Sequence, residues 1–184
     1  RAGDLLDSGA IGELTRVELG GKKLLDYGTH LVDLAHGYNG ERPAEWVLAG
    51  LDYRDEDVRY GTHNENQAVA LWAYENRVHG LALTAKDEGG DAAPFHHRLV
   101  GTHGTIEVLP EHPDAGDANV RYFAADTDGW VNERRETDAP HITRCIEHVL
   151  ACLADGTEPD VSHRKALRAT ETIFGAWESA RSRS

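Results

Sequence analysis

The segment from Gly20 to Asp33 reads GGKKLLDYGTHLVD, and it joins a glycine turn and an apolar pair to the start of a helix. The helix is predicted over residues 28–38, because Asn39-Gly40 is a typical end signal. Its apolar face carries Leu31, Leu34, Ala35 and Tyr38, and its polar face carries Asp26, His30, Asp33 and Gly37. We therefore expect the apolar face to pack on a sheet and the polar face to present a carboxylate and an imidazole.

The residues on either side of this segment predict a sheet of short strands. Alternating or apolar runs indicate strands at 14–19, 46–53, 67–74, 78–84, 95–100, 105–109 and 120–123. Short turns join several of these strands, which favours antiparallel pairing. The polar stretches at 54–66, 86–94 and 110–119 are interpreted as loops, the first of them beginning as a hydrated acidic run.

Helices are predicted at both ends of the chain, the first over residues 2–8. Near the other end, apolar residues recur at helical spacing, namely Ile142, Cys145, Ile146, Val149, Leu150 and Leu153. Thr137 or Asp138 can cap this helix with Pro140 in its first turn, and Ser162 can cap the last helix. The whole pattern predicts an α+β fold, with one mostly antiparallel, open-faced sheet and helices packed on one face.

The charge of the chain excludes some classes of function. It has 32 acidic residues against 19 basic ones, a formal net charge of −13. Nucleic acid is an unsuitable partner, because phosphate contacts need clustered Lys and Arg, and an anionic membrane is disfavoured for the same reason. An acidic, Lys-poor composition is typical of a halophilic protein and equally of an acidic mesophilic one. No apolar run approaches the roughly 18 residues of a membrane span.

The two cysteines and the first residue bear on where the chain comes from. Cys145 and Cys152 lie two helical turns apart, roughly 10 Å, which is too far for a disulfide with each other. They are interpreted as core thiols in a reducing compartment, the cytoplasm.

The sequence begins at Arg1 and contains no Met, which indicates a processed product or an excised domain.

The pair Asp26 and His30 suits proton transfer. The pKa of a histidine lies near neutrality, and a nearby carboxylate raises it and fixes the tautomer. Gly28 would let a substrate hydroxyl approach the backbone closely. The alternative is that Asp26 caps the helix and His30 pairs with it for stability alone.

The remaining candidates carry weaker patterns. The sequence has eleven histidines, but no Cys/His cluster has the spacing of a zinc site, so no metal is expected. His96 and His97 are adjacent and point to opposite faces of a strand. His96 or His97, near the end of the loop at 86–94, is a candidate for the rim of a substrate pocket, against the alternative of a solvated strand residue. The four tryptophans are interpreted as core or interface residues.

The chain resembles the C-terminal domain of the Gfo/Idh/MocA family of NAD(P)-dependent oxidoreductases. The family's signature, a Gly-rich turn, an apolar pair and then D-x-G-x-H-x-x-D, is similar to residues 20–33. The segments LLDSGAIGEL at 5–14, LVGTHGTIEV at 99–108 and EPDVSHRKALRATETIFGAWESA at 158–180 resemble the segments that flank the signature in that family. The four segments stand in the family's order and cover nearly the whole chain.

The resemblance implies roles for individual residues. His30 matches the general acid/base that takes the hydroxyl proton as hydride leaves the same carbon, and Asp26 matches the carboxylate that holds substrate hydroxyls. Tyr27 and Thr29, which flank Asp26 and His30 in the motif, are expected to contact the substrate, and His96 is expected to do so from its place near the end of the loop at 86–94. Asp33, also in the motif, is expected to be structural, bonding within the helix or to a loop.

The sequence also departs from the family. No G-x-G-x-x-G turn and no E-K-P segment occur in it, so the resemblance implies that NAD or NADP is bound mainly by an N-terminal Rossmann domain outside residues 1–184. The excursion that the family usually has before the Gly20-Gly21 turn is missing, because Leu19 runs directly into it. A substrate-facing loop is therefore absent or shortened.

The resulting expectation is one domain over residues 1–184, with the fold of the C-terminal domain of glyceraldehyde-3-phosphate dehydrogenase. It would bind a sugar, polyol or related hydroxy compound and form a homo-oligomer through its open sheet face. The full-length protein would be a dehydrogenase, and this part alone would be inactive. The alternatives are a non-catalytic dimerisation module that keeps the fold and a small hydrolase or lyase that uses Asp26 and His30 alone.

Overall fold

Ten strands and four helices occupy the residues that the computed structural model describes, 1–85, 93–109, 119–134 and 140–182. The helices are α1 (Ala2–Asp7), α2 (Gly28–Tyr38), α3 (His141–Asp155) and α4 (His163–Ser182). The strands are β1 (Leu14–Gly21), β2 (Ala44–Asp52), β3 (Val58–Arg59), β4 (Thr62–His63), β5 (Gln67–Tyr74), β6 (His79–Ala85), β7 (His97–Gly101), β8 (Gly104–Val108), β9 (Val120–Ala124) and β10 (Val131–Glu133).

Eight of the described strands form one sheet, in the order β10-β9-β8-β7-β1-β6-β5-β2. All neighbours pair antiparallel except β1 and β6, which are parallel. Helix α2 packs on β1, α4 packs on β2, and the two helices pack on each other. The helical layer therefore covers one face of the sheet, and the predicted α+β class is confirmed.

The core lies between the sheet and the helices α2 and α4. Leu19 and Leu99 of the sheet and Leu31 and Ile173 of the helices belong to one cluster, and each is at most 4% exposed. Leu34, which the helical wheel placed on the buried face of α2, is 48% exposed. The apolar face of α2 is therefore narrower than its sequence pattern indicates.

The central strands are fixed by the pair Trp72 and Gly80, which lie directly opposite each other on β5 and β6. The Trp72 ring lies over Gly80, and a Cβ atom there would overlap its indole. Trp72 is 1% exposed, so it is a core residue as predicted. The buried Trp72 ring fits only opposite a residue without a side chain, so its position over Gly80 fixes the register of β5 and β6.

Several local predictions are wrong. The stretch 54–66, interpreted as a loop, contains the two-stranded hairpin β3–β4, whose turn residues Tyr60 and Gly61 both have positive φ. Pro140 is the N-cap residue of α3 and lies outside its first turn. Strand β10 had no counterpart among the predicted strands. The predicted caps Thr137 and Asp138, and most of the loops at 86–94 and 110–119, lie outside the described residues.

The apolar stripe of α3 faces solvent, although its pattern is that of a buried helix. Ile142, Ile146, Leu150 and Leu153 are between 55% and 72% exposed. Of the two cysteines on this helix, both free, Cys152 is buried and Cys145 is exposed, so only Cys152 is the predicted core thiol. A 3.6-residue period thus indicates an apolar face without indicating what covers it.

The face of the sheet opposite α2 and α4 is here called the open face. One row of directly opposed residues crosses it from β2 to β9, and its members are Leu48, Leu71, Leu81, Glu18, Arg98, Glu107 and Arg121. The first three are apolar and the last four alternate in charge. Glu107 accepts hydrogen bonds from both Arg98 and Arg121 and is 1% exposed. The open face therefore has an apolar half and a half of compensated charge.

Candidate active site

Asp26 lies in the turn before α2, and its carboxylate points to a second segment of the chain. Oδ2 accepts a hydrogen bond of 2.9 Å from Arg59 Nη1, which the β3–β4 hairpin carries. The N-cap residue of α2 is Tyr27, and no side chain caps the helix. The alternative role of Asp26 as a helix cap is therefore wrong, and its carboxylate, about one third exposed, stays accessible.

His30 lies on the exposed side of the first turn of α2. Within the described residues its ring makes no hydrogen bond, either with Asp26 or with another group. The interpretation of Asp26 and His30 as a stabilising pair is therefore wrong for this structure. An exposed imidazole that makes no hydrogen bond to the described residues can accept a proton from a molecule that approaches from solvent.

Tyr27 and His96 meet at the rim of the same turn. Tyr27 Oη lies 2.9 Å from His96 Nε2, and the two rings are edge to face with centroids 5.8 Å apart. Thr29 Oγ1 donates to the Asp26 carbonyl at 2.8 Å, which fixes the turn. Of the three residues expected to contact substrate, two thus lie together beside Asp26, and Thr29 lies within the turn.

A buried network that no pattern in the sequence predicted connects this turn to the β3–β4 hairpin. Lys23 is 4% exposed and pairs with Asp57, and Glu65, fully buried, accepts a hydrogen bond from the Leu24 amide. Burial raises the pKa of Glu65. No spacing rule could have found these pairs, because their members are 34 and 41 positions apart. The one signal in the sequence that could have indicated a buried charge was Lys23, which directly precedes the apolar pair Leu24-Leu25.

Gly28 has a different role from the one expected. A Cβ atom at this position would overlap the Lys23 carbonyl oxygen. The glycine therefore lets the turn 23–28 close on itself, and the space beside it is taken by the protein backbone. A substrate hydroxyl has no room there.

Asp33 is the second carboxylate on the polar face of α2. Its carboxylate makes no hydrogen bond within the described residues, so the expected side-chain bond within the helix or to a loop is not found there. Burial raises its pKa, whereas Lys165 and His30 act in the opposite direction. His30 therefore acts on the Asp33 carboxylate through space and not through a hydrogen bond.

His97 is a core residue. Its Nε2 donates to the Leu31 carbonyl at 2.8 Å, its ring stands edge to face with Tyr38, and burial lowers its pKa to about 4. His96 contacts Tyr27 instead, so the two adjacent histidines serve different sites.

No group of three His, Cys, Asp or Glu side chains able to hold a metal occurs in the described part of the chain. None of the described helices is both long and apolar enough to cross a membrane.

A separate groove of about 380 Å³ runs between β2 and α4, and Trp46, Arg168 and Gly175 are among its lining residues. It shares no residue with the site around Asp26. We assign it no role in the chemistry of that site.

Solved structures share this fold. An aldose-aldose oxidoreductase from Caulobacter crescentus, complexed with glycerol, matches all of this chain with a TM-score of 0.79 and 19% identity. An oxidoreductase from Agrobacterium radiobacter, in complex with NAD⁺, L-tartaric acid and magnesium, matches all of it at 0.71 and 18%. The WlbA dehydrogenase from Bordetella pertussis, in complex with NADH and UDP-GlcNAcA, matches all of it at 0.69 and 16%.

This chain spans 58%, 59% and 58% of those three proteins. No family model matches the sequence, and no curated protein does. The structural likeness, with the whole chain aligned in each case, confirms the fold that the resemblance implied. The chain therefore has the fold of the C-terminal domain of Gfo/Idh/MocA-type oxidoreductases.

Proposed function

We propose that the chain is the substrate-binding and dimerisation domain of an NAD(P)-dependent oxidoreductase that acts on a sugar, polyol or related hydroxy compound. The observation that carries the proposal is the exposed His30 imidazole, without a bond inside the described protein, one helical turn from the Asp26 carboxylate. The structural neighbours support it, because two of those named hold NAD⁺ or NADH together with L-tartaric acid or UDP-GlcNAcA, and the third holds glycerol.

In this proposal His30 accepts the proton of the substrate hydroxyl. Asp26 accepts a hydrogen bond from a neighbouring hydroxyl and so orients the reacting carbon, while Tyr27, Thr29 and His96 line the approach. Loss of one general acid/base typically lowers the rate by roughly 10²–10⁴-fold.

The residues present fit the part of a nicotinamide site that holds the substrate, and not the part that binds the pyrophosphate of the cofactor. Tyr27 and His30 are exposed and Asp26 is partly exposed, so all three are accessible to a bound cofactor, but the sequence has no Gly-rich turn for a pyrophosphate. When bound, the nicotinamide would supply the hydride acceptor for the carbon whose hydroxyl His30 deprotonates. A Rossmann domain elsewhere in the full-length protein would bind the rest of the cofactor, so residues 1–184 alone would be inactive.

The test is His30→Ala in the full-length protein, with His163→Ala as the control, because His163 is an exposed histidine at the start of α4. We expect kcat to fall by roughly 10²–10⁴-fold in the first variant and to stay unchanged in the second. An unchanged kcat in His30→Ala contradicts the role of His30. A full-length protein that neither binds NAD(P) nor oxidises any hydroxy compound favours the non-catalytic module instead.

We further propose that two copies of the chain pair through the open face. Trp46, Leu48 and Val69 on its apolar half are 45%, 53% and 54% exposed, which is typical of an interface. Leu48→Arg should give a monomer in sedimentation analysis, whereas Leu167→Arg, at a leucine 55% exposed on α4, should not. A dimer that survives Leu48→Arg contradicts this interface.

We also propose that the protein works in the cytoplasm. The free and exposed Cys145 suits a reducing compartment. The acidic composition suits high salt, and a midpoint of urea unfolding that rises between 0.1 and 2 M KCl would support a halophilic origin.

A further inference from the structure

The β3–β4 hairpin brings a guanidinium to the candidate active site, and no pattern in the sequence indicates that it should be there. Arg59 stands on β3, 33 positions from Asp26, and donates to its carboxylate. An ion pair so exposed contributes little to the stability of the fold. Stabilisation is therefore a weak reason for an arginine at this position.

The hairpin is fixed against the site from both sides. On the side of α2, Asp57 pairs with the buried Lys23. On the side of the sheet, Asn66 bonds both the amide and the carbonyl of Asp55 through its side chain, at 2.9 and 3.1 Å. The position of Arg59 is therefore set by buried contacts rather than by its own bond to Asp26.

The guanidinium has unused capacity for hydrogen bonding. It carries five N–H donors, and within the described residues one of them, at Nη1, makes a hydrogen bond. Its Nε lies 3.8 Å from Asp57, beyond hydrogen-bond distance. The side chain is 52% exposed, so the remaining donors face solvent beside Asp26.

We propose that Arg59 selects substrates that carry a carboxylate next to the hydroxyls held by Asp26 and His30, so that the substrate is a sugar acid. This inference rests on the proposed function. The planar fork of a guanidinium matches a carboxylate with two parallel hydrogen bonds. A phosphate dianion would need a second free cation, and the neighbouring Lys23 is already neutralised by Asp57.

The experiment compares neutral hexoses with the matching hexuronates, glucose with glucuronate and galactose with galacturonate, as substrates of the full-length protein. Wild type should prefer at least one uronate. Arg59→Gln should lower kcat/KM for that uronate by about 10- to 100-fold, the usual effect of losing a hydrogen bond to a charged group, and change the matching hexose by less than about threefold. Arg54→Gln is the matched control, because Arg54 is in the same segment, bonded to Asp52 and 76% exposed.

Two results overturn the proposal: a wild type that prefers neutral hexoses, and an Arg59→Gln variant that loses activity equally on both classes, since Arg59 would then only position Asp26. If no compound is oxidised, the proposed function fails, and calorimetric titration with the same uronates decides the inference separately. Saturable binding to wild type that Arg59→Gln loses supports it, and no binding to wild type overturns it.

Discussion

Tyr27 Oη and His96 Nε2 lie 2.9 Å apart, although the two residues are 69 positions apart in the chain. Both were expected at the substrate site, one from its motif and the other from its place at the end of a loop. Their contact exists because β7 lies beside β1 in the sheet, so the residue before β7 reaches the turn that follows β1.

We expect these two residues to act as a unit. Tyr27→Phe and His96→Ala should each raise KM several-fold, because each removes one partner of the hydrogen bond at the rim. The double variant should raise KM by less than the product of the two single effects, since coupled residues are not additive. Steady-state kinetics on the full-length protein measure this, and independent effects would contradict a shared role.

The pair Trp72 and Gly80 predicts a large loss of stability on a small change. Gly80→Ala places a methyl group in the space of the Trp72 ring and should lower the free energy of unfolding by about 1–3 kcal/mol. Gly50→Ala on β2 is the control, because a Cβ atom there meets nothing within 4 Å. Urea unfolding measures both, and equal effects would show that the ring can move aside.

Two buried histidines predict acid lability. Burial lowers the pKa of His36 and of His97 to about 4, from an ordinary 6.5. Both ring nitrogens of His36 have a partner inside the protein, because Nδ1 lies 3.0 Å from the Arg42 carbonyl oxygen and Nε2 lies 3.0 Å from Thr172 Oγ1. Between pH 6.5 and 4 the unfolded state binds more protons, so stability is complete above pH 6.5 and falls as the pH falls.

Each of these histidines should contribute about 1.4 kcal/mol per pH unit near the middle of that range. Glu65, whose pKa is raised by burial, acts in the opposite direction, so single variants are needed to separate the contributions. His36→Gln should flatten the pH dependence of the urea midpoint, whereas His163→Gln at an exposed site should leave it unchanged. A slope that both variants share with wild type would refute the assignment to His36.

The exposed stripe of α3 predicts unequal effects of one substitution in two helices. Ile146→Ala should change the free energy of unfolding by less than about 1 kcal/mol, because Ile146 is 55% exposed. Ile173→Ala in α4 should cost about 2–5 kcal/mol, since Ile173 is 1% exposed. A large loss at Ile146 in chemical unfolding of residues 1–184 would mean that the stripe is covered within the chain.

The sequence pattern predicted secondary-structure elements correctly where interactions between residues close in the chain determine them. The bounds of α2 and β5 agree with the residues predicted, because a helical face and a run of apolar strand residues are both formed by consecutive residues. The β3–β4 hairpin was missed, because its turn places Tyr60 at positive φ, a conformation unusual for tyrosine. The exposure of α3 was missed because an amphipathic pattern shows that a helix has an apolar face but does not show which surface covers that face.

The candidate site likewise has residues that the sequence predicted and contacts that only the structure shows. The sequence by itself determined Asp26, Tyr27, Thr29 and His30, because they share one turn and the start of one helix, and it proposed His96. Only the tertiary structure decided that Arg59 engages Asp26, that Lys23 is neutralised by Asp57, and that Tyr27 meets His96. Contacts between residues 33 to 69 positions apart depend on strand order and on how the hairpin docks. Those are set by burial of the whole sheet and not by any short run of residues.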